Sequence, residues 1–396
     1  MIGAGIIGLA VARELLDRRP RSSLCVFERE RCVGAQQTGH SSGVIHAGIY
    51  YKPGSLKARL CVSGARALQR YCAERDVAVM RCGKLIVATG PDELPRLGEL
   101  ERRGAANGVV SLQRLDAAEI SRIEPHARGI AALHSPDTAV VDFSVVARAF
   151  AREVQQAGGA IATGCGIERI EVRPRSLGLH HALGSTEARY AIFCAGAWAD
   201  RLAVAAGAEP NPRIVPFRGA YLRLRPERRH LVRGLIYPVP DPALPFLGAH
   251  LTRHVDGEVT VGPTALLAGA RDAYRLQTVR REDVLDTLSW PGTWRMLGRH
   301  WRAAAIELRR SLRPAALVRA AASIVPELQA ADVEPSFAGV RAQALARDGR
   351  LLEDFAFSST PHALHVRNAP SPAATASLAI AEHVVERALR EFGLVS

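Results

Sequence analysis

The stretch Gly3-Ala4-Gly5-Ile6-Ile7-Gly8 decides the fold, because it matches the pattern G-x-G-x-x-G and runs directly into an apolar, helix-like segment. In this pattern the first glycine makes a tight turn, the second lets the backbone approach a pyrophosphate, and the third lets the helix pack on a strand. The positive N-terminal end of the helix then faces the phosphate charge. The stretch predicts the nucleotide-binding turn of an α/β domain with a parallel sheet.

Glu28 strengthens this prediction. It ends the apolar run at residues 24–27, which is typical of a short buried strand, and it follows the glycines at the spacing where an acidic side chain meets ribose hydroxyls. A glycine turn with an unrelated surface glutamate is the alternative. We favour the nucleotide site, because the turn, the helix and the acidic residue occur in the expected order.

The residues before the turn depart from the pattern. Only Met1 and Ile2 precede Gly3, where a central β-strand is needed. Without that strand we expect unpaired backbone groups on both of its neighbours. The hypothesis at this point is a start codon assigned too late, with several residues missing upstream. A truncated, poorly folding product is the alternative.

Length and composition favour two globular domains. Single hydrophobic cores stop growing near ~250–300 residues, and the chain has 396 residues, of which 48% are apolar. It contains neither an apolar run long enough for a transmembrane helix nor a signal-peptide pattern. The cysteines are scattered, odd in number and form no C-x-x-C, which predicts reduced thiols in a cytoplasmic protein. They are Cys25, Cys32, Cys61, Cys72, Cys82, Cys165 and Cys194.

The net charge of +13 does not indicate nucleic-acid binding. Only three of the 52 basic residues are lysine, and this skew towards arginine is typical of codon bias in a GC-rich genome. The sequence has no basic tail and no helix-turn-helix or zinc-finger spacing, so we expect no nucleic-acid partner. An acidic substrate or an anionic membrane surface fits the charge better.

The order of elements predicts an α/β fold with an α+β insert. Residues 1–82, 142–213 and 326–396 carry strand, helix and glycine-turn patterns of a Rossmann domain. Residues 83–141 and 214–325 contain short alternating strands with turns, followed by helices rich in arginine, alanine and tryptophan. We therefore expect a discontinuous nucleotide-binding domain that is interrupted by an antiparallel-sheet substrate domain.

Longer stretches carry a resemblance to a known family. Residues 38–51, Thr-Gly-His-Ser-Ser-Gly-Val-Ile-His-Ala-Gly-Ile-Tyr-Tyr, are the most specific of them. The sequence resembles the L-2-hydroxyglutarate dehydrogenase/oxidase group of the D-amino-acid-oxidase-like flavoproteins, nearly from end to end. Further matching stretches are residues 53–58, 216–219, 236–242, 245–252, 338–344 and 368–375.

This resemblance implies a glutathione-reductase-like FAD-binding domain, FAD as cofactor, and oxidation of a substrate at C2 by hydride transfer to the flavin. Gly3, Gly5, Gly8 and Glu28 would hold the ADP half. The other implied cofactor contacts are Thr38, Ser41 and Ser42 beside the pyrophosphate and isoalloxazine, Ile167 at the adenine, Ala195 and Gly196 at the second glycine turn, and Ala374 and Thr375 at the start of the last helix.

The chain also departs from the family pattern at four positions. The family usually has asparagine at Ser41, glutamate at Ala220, asparagine at Thr264 and lysine at Ala270. These polar groups are lost or shortened beside the best-matched stretches. They bear on the identity of the acid that is oxidised and leave the FAD prediction unchanged.

Oxidation of a 2-hydroxy acid needs a base for the hydroxyl proton and a cation for the C1 carboxylate. His46 and His250 are the two candidate bases, because the ordinary pKa of histidine lies near operating pH; a structural role for either is the alternative. Arg341 is the candidate carboxylate clamp, since a guanidinium matches a carboxylate at two points. Arg218 and Lys57 are weaker candidates for a second, distal carboxylate. We expect no metal site.

The segment 290–313 has two interpretations. Trp294, Leu297 and Trp301 share a helical stripe that is surrounded by arginines. An interfacial helix could dock on anionic lipid near a quinone acceptor. Packing of the stripe against its own substrate domain is the interpretation that we favour, because most apolar stripes belong to a core.

Three functions remain open from the sequence. The leading hypothesis is FAD-dependent oxidation of a 2-hydroxy acid, foremost L-2-hydroxyglutarate to 2-oxoglutarate, with electrons passed to a quinone or another acceptor. The alternatives are an amine or amino-acid oxidase of the same fold and a non-catalytic, truncated flavin-binding paralogue. The expected partners are a small dicarboxylate or hydroxy acid and an electron acceptor, in a cytoplasmic protein that contacts the inner face of the membrane peripherally, if at all.

Overall fold

The structure, a computed structural model, describes residues 1–241 and 247–394. Pro242 and Pro245-Phe246, which belong to two of the matched stretches, lie outside the described residues. The helices are α1 (Ile6–Arg18), α2 (Leu56–Glu74), α3 (Leu94–Ala106), α4 (Ala117–Ile123), α5 (Phe143–Gln156), α6 (Ala199–Ala205), α7 (Arg281–Ser289), α8 (Pro291–Leu312), α9 (Pro314–Ala322) and α10 (Ser377–Glu391).

The strands alternate with these helices in the first half of the chain and dominate the middle. They are β1 (Cys25–Phe27), β2 (Val44–Ile45), β3 (Val79–Met80), β4 (Lys84–Ala88), β5 (Gln113–Asp116), β6 (Ala131–Ser135), β7 (Ala139–Val141), β8 (Ala160–Ala162), β9 (Ile167–Val172), β10 (Leu177–His181), β11 (Gly184–Ala188), β12 (Ala191–Phe193), β13 (Arg213–Leu224), β14 (Leu235–Pro238), β15 (His250–Arg253), β16 (Val259–Gly262), β17 (Leu266–Leu267), β18 (Val333–Leu345), β19 (Ala356–Thr360) and β20 (Ala363–Asn368).

A parallel sheet forms the nucleotide-binding part. β1 pairs in parallel with β8, and β12 pairs in parallel with β20, which carries the antiparallel edge strand β19. Ile2 joins the two pairs through parallel bridges to Phe27 and Phe193. The helices α1, α2, α5 and α10 pack together in one hydrophobic core that includes the fully buried Leu9 and Phe150.

The backbone groups beside Ile2 are paired, contrary to the expectation of orphaned groups on both neighbours. Phe27 donates its N–H to the carbonyl of Met1 at 2.9 Å, and Cys194 donates to the carbonyl of Ile2 at 2.8 Å. The α-ammonium of Met1 donates to the carbonyl of Cys25 at 2.8 Å. Burial lowers the pKa of this ammonium to about 6. The first two residues thus occupy the central position of the sheet.

A large, mainly antiparallel sheet forms the second part. Its strand order is β17-β13-β16-β15-β14-β4-β6-β5, with β18 paired to β13. The pair β13–β18 is long and sets Phe217 opposite Arg341 and Gly219 opposite Gly339. β18, which the predicted boundaries assign to the nucleotide-binding domain, therefore joins the substrate-domain sheet through β13. The boundaries themselves stay a prediction, whereas the mixed α/β class with an antiparallel insert is confirmed.

The helix α8 exposes the tryptophans of the predicted stripe. Trp294 and Trp301 are each 60% exposed, whereas Met296 and Ala303 form the buried face. The favoured prediction that this stripe packs on its own domain is wrong for both tryptophans, because a second set of small and flexible apolar residues supplies the packing face. Within the described residues, no helix is long and apolar enough to cross a membrane.

Candidate active site

A cavity of ≈ 2160 Å³ extends from the glycine turn to the large sheet. Pockets for small ligands usually measure ~300–1,000 Å³, so this volume has room for a dinucleotide and a substrate together. All the residues predicted to contact the cofactor lie in its wall. His46, His250, Arg341 and Lys57 also line it, towards the large sheet, and Arg218 does not. The roles of these residues stay predictions.

The glycine turn is shaped by contacts that no side chain could tolerate. Gly3 has φ +98°, and a Cβ there would lie 2.4 Å from the carbonyl oxygen of Cys194. A Cβ on Gly8 would lie 1.9 Å from the carbonyl oxygen of Gly3. The first glycine therefore makes the turn and the third lets α1 approach it, as the pattern requires. Gly5 stays open towards the cavity, with the nearest side-chain atom, Oγ1 of Thr38, 3.4 Å from its ideal Cβ.

Glu28 and Thr38 brace the same turn from two sides. Glu28 is 7% exposed at the end of β1, where its carboxylate accepts hydrogen bonds from the N–H groups of Ala4 at 2.7 Å and Glu30 at 2.9 Å. Burial raises the pKa of Glu28, and these two hydrogen bonds oppose the rise. The hydroxyl of Thr38 accepts the N–H of Ile6 at 3.0 Å, which satisfies a free donor at the start of α1.

The loop after β2 places His46 between two chain segments. Its N–H donates to the hydroxyl of Thr375 at 3.1 Å, and that hydroxyl donates to the carbonyl of Val44 at 3.2 Å. The Nε2 atom of His46 lies 3.3 Å from the hydroxyl of Ser371. Its Nδ1 atom is buried without a protein partner. Burial, followed by the charge of Lys84, holds the pKa of His46 well below its ordinary value.

His250 lies on the adjacent sheet and is 4% exposed. Its Nδ1 atom lies 2.9 Å from the carbonyl oxygen of Gly248, which fixes the orientation of the ring. The ring stacks on Tyr237 with 3.9 Å between the centroids. Burial lowers the pKa of His250 to about 3, with smaller contributions from the charges of Lys84 and Arg341. Both candidate bases are therefore neutral at physiological pH, which is the protonation state that a general base needs.

Arg341 reaches the cavity from β18, whereas Arg218 does not reach it from β13. The register places Arg341 opposite Phe217, so Arg341, Gly339 and Gly219 share the cavity-facing side of the strand pair. Arg218 lies on the other face and donates to the carbonyl of Tyr274 at 3.4 Å. The hypothesis that Arg218 binds a distal carboxylate is therefore not supported by its position.

Lys57 stays at the cavity wall but is already engaged. Its ammonium donates to the carbonyl of Glu353 at 2.9 Å and lies 5.2 Å from the centroid of the Tyr51 ring. The carboxylate of Asp354 accepts the N–H groups of Leu56 and Lys57 at 3.0 and 2.8 Å, which anchors the first turn of α2. Lys57 remains a candidate for the distal carboxylate.

Only one of the four departures from the family pattern touches the cavity. Ser41 lines it, while Ala220, Thr264 and Ala270 do not. Ala220 and Thr264 bond to each other instead: the N–H of Ala220 donates to the hydroxyl of Thr264 at 3.1 Å, and the N–H of Thr264 donates back to the carbonyl of Ala220 at 3.1 Å. Ala270 is fully buried. Three of the four positions thus lie away from the cavity, Ala220 in β13 and Thr264 and Ala270 on either side of β17.

The sequence alone missed three residues around the two histidines. Tyr50 and Tyr237 line the cavity, and the hydroxyl of Tyr50 is buried without a protein partner. Lys84 lies behind them and is 2% exposed. The available signal was a lysine at the start of an otherwise apolar strand, which is an unusual place for an ammonium. Over residues 1–241 and 247–394, no group of three or more His, Cys, Asp or Glu side chains is placed to hold a metal ion.

Comparison with known proteins identifies the cofactor class. The DAO family, described as FAD dependent oxidoreductase, matches residues 1–387. The chain belongs to this family. An L-2-hydroxyglutarate dehydrogenase of Nematostella vectensis is 45% identical over 100% of this chain and 91% of its own length. The human enzyme of that name is 42% identical over 100% and 89%, and that of Escherichia coli K12 is 42% identical over 98% and 92%.

Solved structures of FAD-dependent oxidoreductases share the fold. The L-α-glycerophosphate oxidase of Mycoplasma pneumoniae with FAD bound covers 99% of this chain and 93% of its own, with a TM-score of 0.79 and 23% identity. A glycine oxidase of Geobacillus kaustophilus covers 98% and 93%, with a TM-score of 0.69 and 18% identity. The predicted resemblance to the L-2-hydroxyglutarate dehydrogenase group is confirmed by the sequence relatives, while the glutathione-reductase-like label stays a prediction.

The residues of the cavity fit FAD, which is the cofactor of this family. Gly3 and Gly8 make a tight turn in which a Cβ would clash with neighbouring backbone, and Gly5 stays open towards the cavity, as a pyrophosphate site requires. Glu28 lies in the cavity wall at the ribose position of the pattern. The buried Nδ1 of His46 and the hydroxyl of Tyr50 are without protein partners at the other end, where a bound group would satisfy them. The enzyme is thus an FAD-dependent oxidoreductase.

Proposed function

We propose that the protein oxidises L-2-hydroxyglutarate to 2-oxoglutarate at C2. The proposal is supported by relatives that carry this activity in their names and align with almost the whole chain. The structural observation that supports it is that Arg341, His46 and His250 line one cavity, so that a guanidinium and two neutral imidazoles are available to a bound hydroxy acid. A 2-hydroxy acid needs both kinds of group.

Arg341 is the proposed ligand of the C1 carboxylate. Its guanidinium extends from the long pair β13–β18, which holds it rigidly at the cavity wall. A planar guanidinium binds both carboxylate oxygens, so it fixes the direction in which C2 points as well as neutralising charge. The second carboxylate of a dicarboxylic acid would meet Lys57, whose charge acts on the same region as that of Arg341.

His46 or His250 is the proposed acceptor of the hydroxyl proton. As the O–H bond breaks, its proton moves to a ring nitrogen, the C2–H bond breaks with its electron pair, and the C2=O double bond forms. FAD, when bound, accepts the hydride that leaves C2. The Nδ1 atom of His250 faces the Gly248 carbonyl, which leaves Nε2 as its proton-accepting atom. In His46 the proposed proton-accepting atom is Nδ1, which is buried and has no hydrogen-bond partner among the described residues.

The experiment that tests this function is anaerobic reduction of the bound flavin by a panel of substrates. L-2-hydroxyglutarate should bleach the flavin absorbance, whereas sarcosine, glycine and D-alanine should leave it unchanged. Glycine oxidases share the fold at 18% identity, so the amine substrates are the informative negative control. Bleaching by an amine and not by the hydroxy acid would contradict the proposal.

We further propose that the reduced enzyme passes its electrons to a quinone at an anionic membrane surface, in a cytoplasmic protein that binds the inner face peripherally. The support is a surface on α8 that combines Trp294 and Trp301 with the exposed arginines Arg295, Arg302 and Arg309. Apolar side chains bordered by cations are the composition of an interfacial helix. Arg299 and His300 of the same helix line the cavity, so α8 joins this surface to the site.

A further inference from the structure

Lys84 is a cation in a place where a cation is costly. It opens β4, all five residues of which are buried, and its side chain is 2% exposed. Moving an ammonium out of water is strongly unfavourable unless it is paired. The ionisable groups of the described residues that act on Lys84 are the thiols of Cys61 and Cys82, and burial raises their pKa values to about 12 and about 11, so neither offers a negative charge at neutral pH. A leucine or methionine at this position would fill the same core at lower cost.

The surroundings of Lys84 are aromatic and lead to the candidate bases. Its nitrogen lies 3.8 Å from the centroid of the Tyr237 ring and 5.0 Å from that of Tyr50. Tyr237 in turn stacks on His250, with 3.9 Å between the ring centroids and 18° between the planes. Cation–π contacts compensate part of the desolvation of the ammonium. The result is a buried arrangement of ammonium, phenol and imidazole.

The strand order and register of the large sheet bring these groups together. β4, β14 and β15 are consecutive neighbours, and the register pairs Lys84 with Leu235 and Ile86 with Tyr237. Directly paired residues point to the same face, so Lys84 and Tyr237 project together towards the cavity side, where His250 begins β15. Lys84 does not itself line the cavity. It contacts Tyr50 and Tyr237, which do line the cavity.

We propose that Lys84 is a positioning residue of the catalytic site: its ammonium, held against Tyr237 and Tyr50, fixes the Tyr237 ring on which His250 stacks, and its charge adds to burial in keeping protons off His46 and His250. The inference rests on the proposed function, because it assigns Lys84 a part in that reaction. It concerns the state of the bases before the substrate arrives, and no contact between Lys84 and substrate is needed.

The electrostatics support this role with a defined sign. After burial, the charge of Lys84 is the next cause that lowers the pKa of His46, and it also lowers the pKa of His250. Burial lowers the pKa of Lys84 itself to about 7. Below pH 7 Lys84 is therefore charged, and its charge adds to the effect of burial in opposing protonation of the two histidines. The ionisable groups that face one another here are Lys84, Cys61, Cys82, Tyr50, Tyr237, His46, His250, Lys57 and Arg341.

The test measures histidine titration and flavin reduction in the holoenzyme. In the parent protein labelled with ¹³C-histidine, the His46 and His250 ring signals, assigned through His46→Asn and His250→Asn, should not titrate between pH 5 and 8. In Lys84→Met, which removes the charge at similar volume, their midpoints should rise. The acid-side midpoint of the anaerobic reduction rate with L-2-hydroxyglutarate should move up with them by about one pH unit. Lys84→Arg, which keeps a cation, should stay near the parent profile.

The outcomes separate the two proposals. Histidine midpoints near the ordinary value in the parent would overturn the inference about Lys84, even if Lys84→Met does not fold. A folded Lys84→Met variant whose rate profile and histidine midpoints both coincide with those of the parent would also overturn it, and would leave the proposed function standing. A parent enzyme that no 2-hydroxy acid reduces would overturn the proposed function, and the ring titrations would still decide the charge effect.

Discussion

At the scale of the residue, Arg341 is the proposed ligand of the C1 carboxylate. The strand pair β13–β18 places it in the cavity wall, and its charge acts on His250 and Lys57. Its role depends on geometry as much as on charge, because a guanidinium and a carboxylate meet at two points. The two properties are separable by substitution.

Arg341→Lys keeps the charge and loses the two-point geometry, so we expect a normal flavin spectrum and a reduction rate lowered by ~10²-fold, the effect of misplacing reacting atoms by about 1 Å. Arg341→Ala should lose both rate and affinity. Stopped-flow anaerobic reduction across substrate concentrations separates the two quantities. Arg319→Lys, an exposed arginine on α9, is the matched control. An unchanged limiting rate and affinity in Arg341→Ala would rule out the clamp.

The residues of the cofactor end were predictable from sequence, because local constraints fix them. Gly3 and Gly8 are positions where any Cβ would clash, and Glu28 follows at the spacing that the fold imposes. The catalytic end was less predictable. Arg218 and Arg341 are both arginines in well-matched strands, and only the strand alternation and register decide which one faces the cavity.

Lys84 shows that contacts between residues far apart in the sequence are also hard to predict from sequence patterns. Its ring partner Tyr237, and His250 stacked on that ring, are distant in sequence and meet because β4, β14 and β15 are neighbours in the sheet. The sequence pattern indicates the strand that contains Lys84, but it does not indicate which strands pair with it. Pairing between separated strands is not encoded in any local pattern, so the cluster required the structure.

At the scale of the element, the buried face of α8 differs from the one that its amphipathic pattern predicts. The apolar stripe with Trp294 and Trp301 was expected to be the packing face, yet Gly292, Thr293, Met296 and Ala303 are the buried residues. Small side chains let the helix lie close to its neighbours and leave the large rings outside. Exposed aromatic groups beside arginines are then available for an anionic bilayer.

The double change Trp294→Gln and Trp301→Gln should therefore weaken binding to vesicles of phosphatidylglycerol and phosphatidylcholine by about tenfold or more, since burying one large apolar side chain contributes ~1.5–3 kcal/mol. Co-sedimentation measures the binding, and added salt should weaken that of the parent by screening the arginines. Leu183→Gln is the control, because Leu183 is 75% exposed between β10 and β11, away from α8 in sequence. Failure of the parent protein to bind anionic vesicles would rule out α8 as a docking surface.

At the scale of the whole molecule, the two sheets divide the reaction between them. The parallel sheet supplies the glycine turn, Glu28 and the start of α1, which are the proposed contacts of the dinucleotide. The antiparallel sheet supplies His250 and Arg341, which are the proposed base and the proposed carboxylate ligand. One continuous cavity joins them. Strands and helices from separate parts of the chain bring the two sets of residues together, and the predicted domain boundaries between those parts stay a prediction.

We propose that this cavity directs the hydrogen at C2 of L-2-hydroxyglutarate to the flavin while a neutral histidine takes the hydroxyl proton. The most direct measurement is anaerobic stopped-flow reduction with L-2-hydroxyglutarate, its C2-deuterated form and the D enantiomer. We expect rapid bleaching of the flavin by the L enantiomer, slower bleaching when C2 carries deuterium, and no bleaching by the D enantiomer. Failure of the L enantiomer to reduce the flavin, or equal rates for the L and D enantiomers, would contradict it.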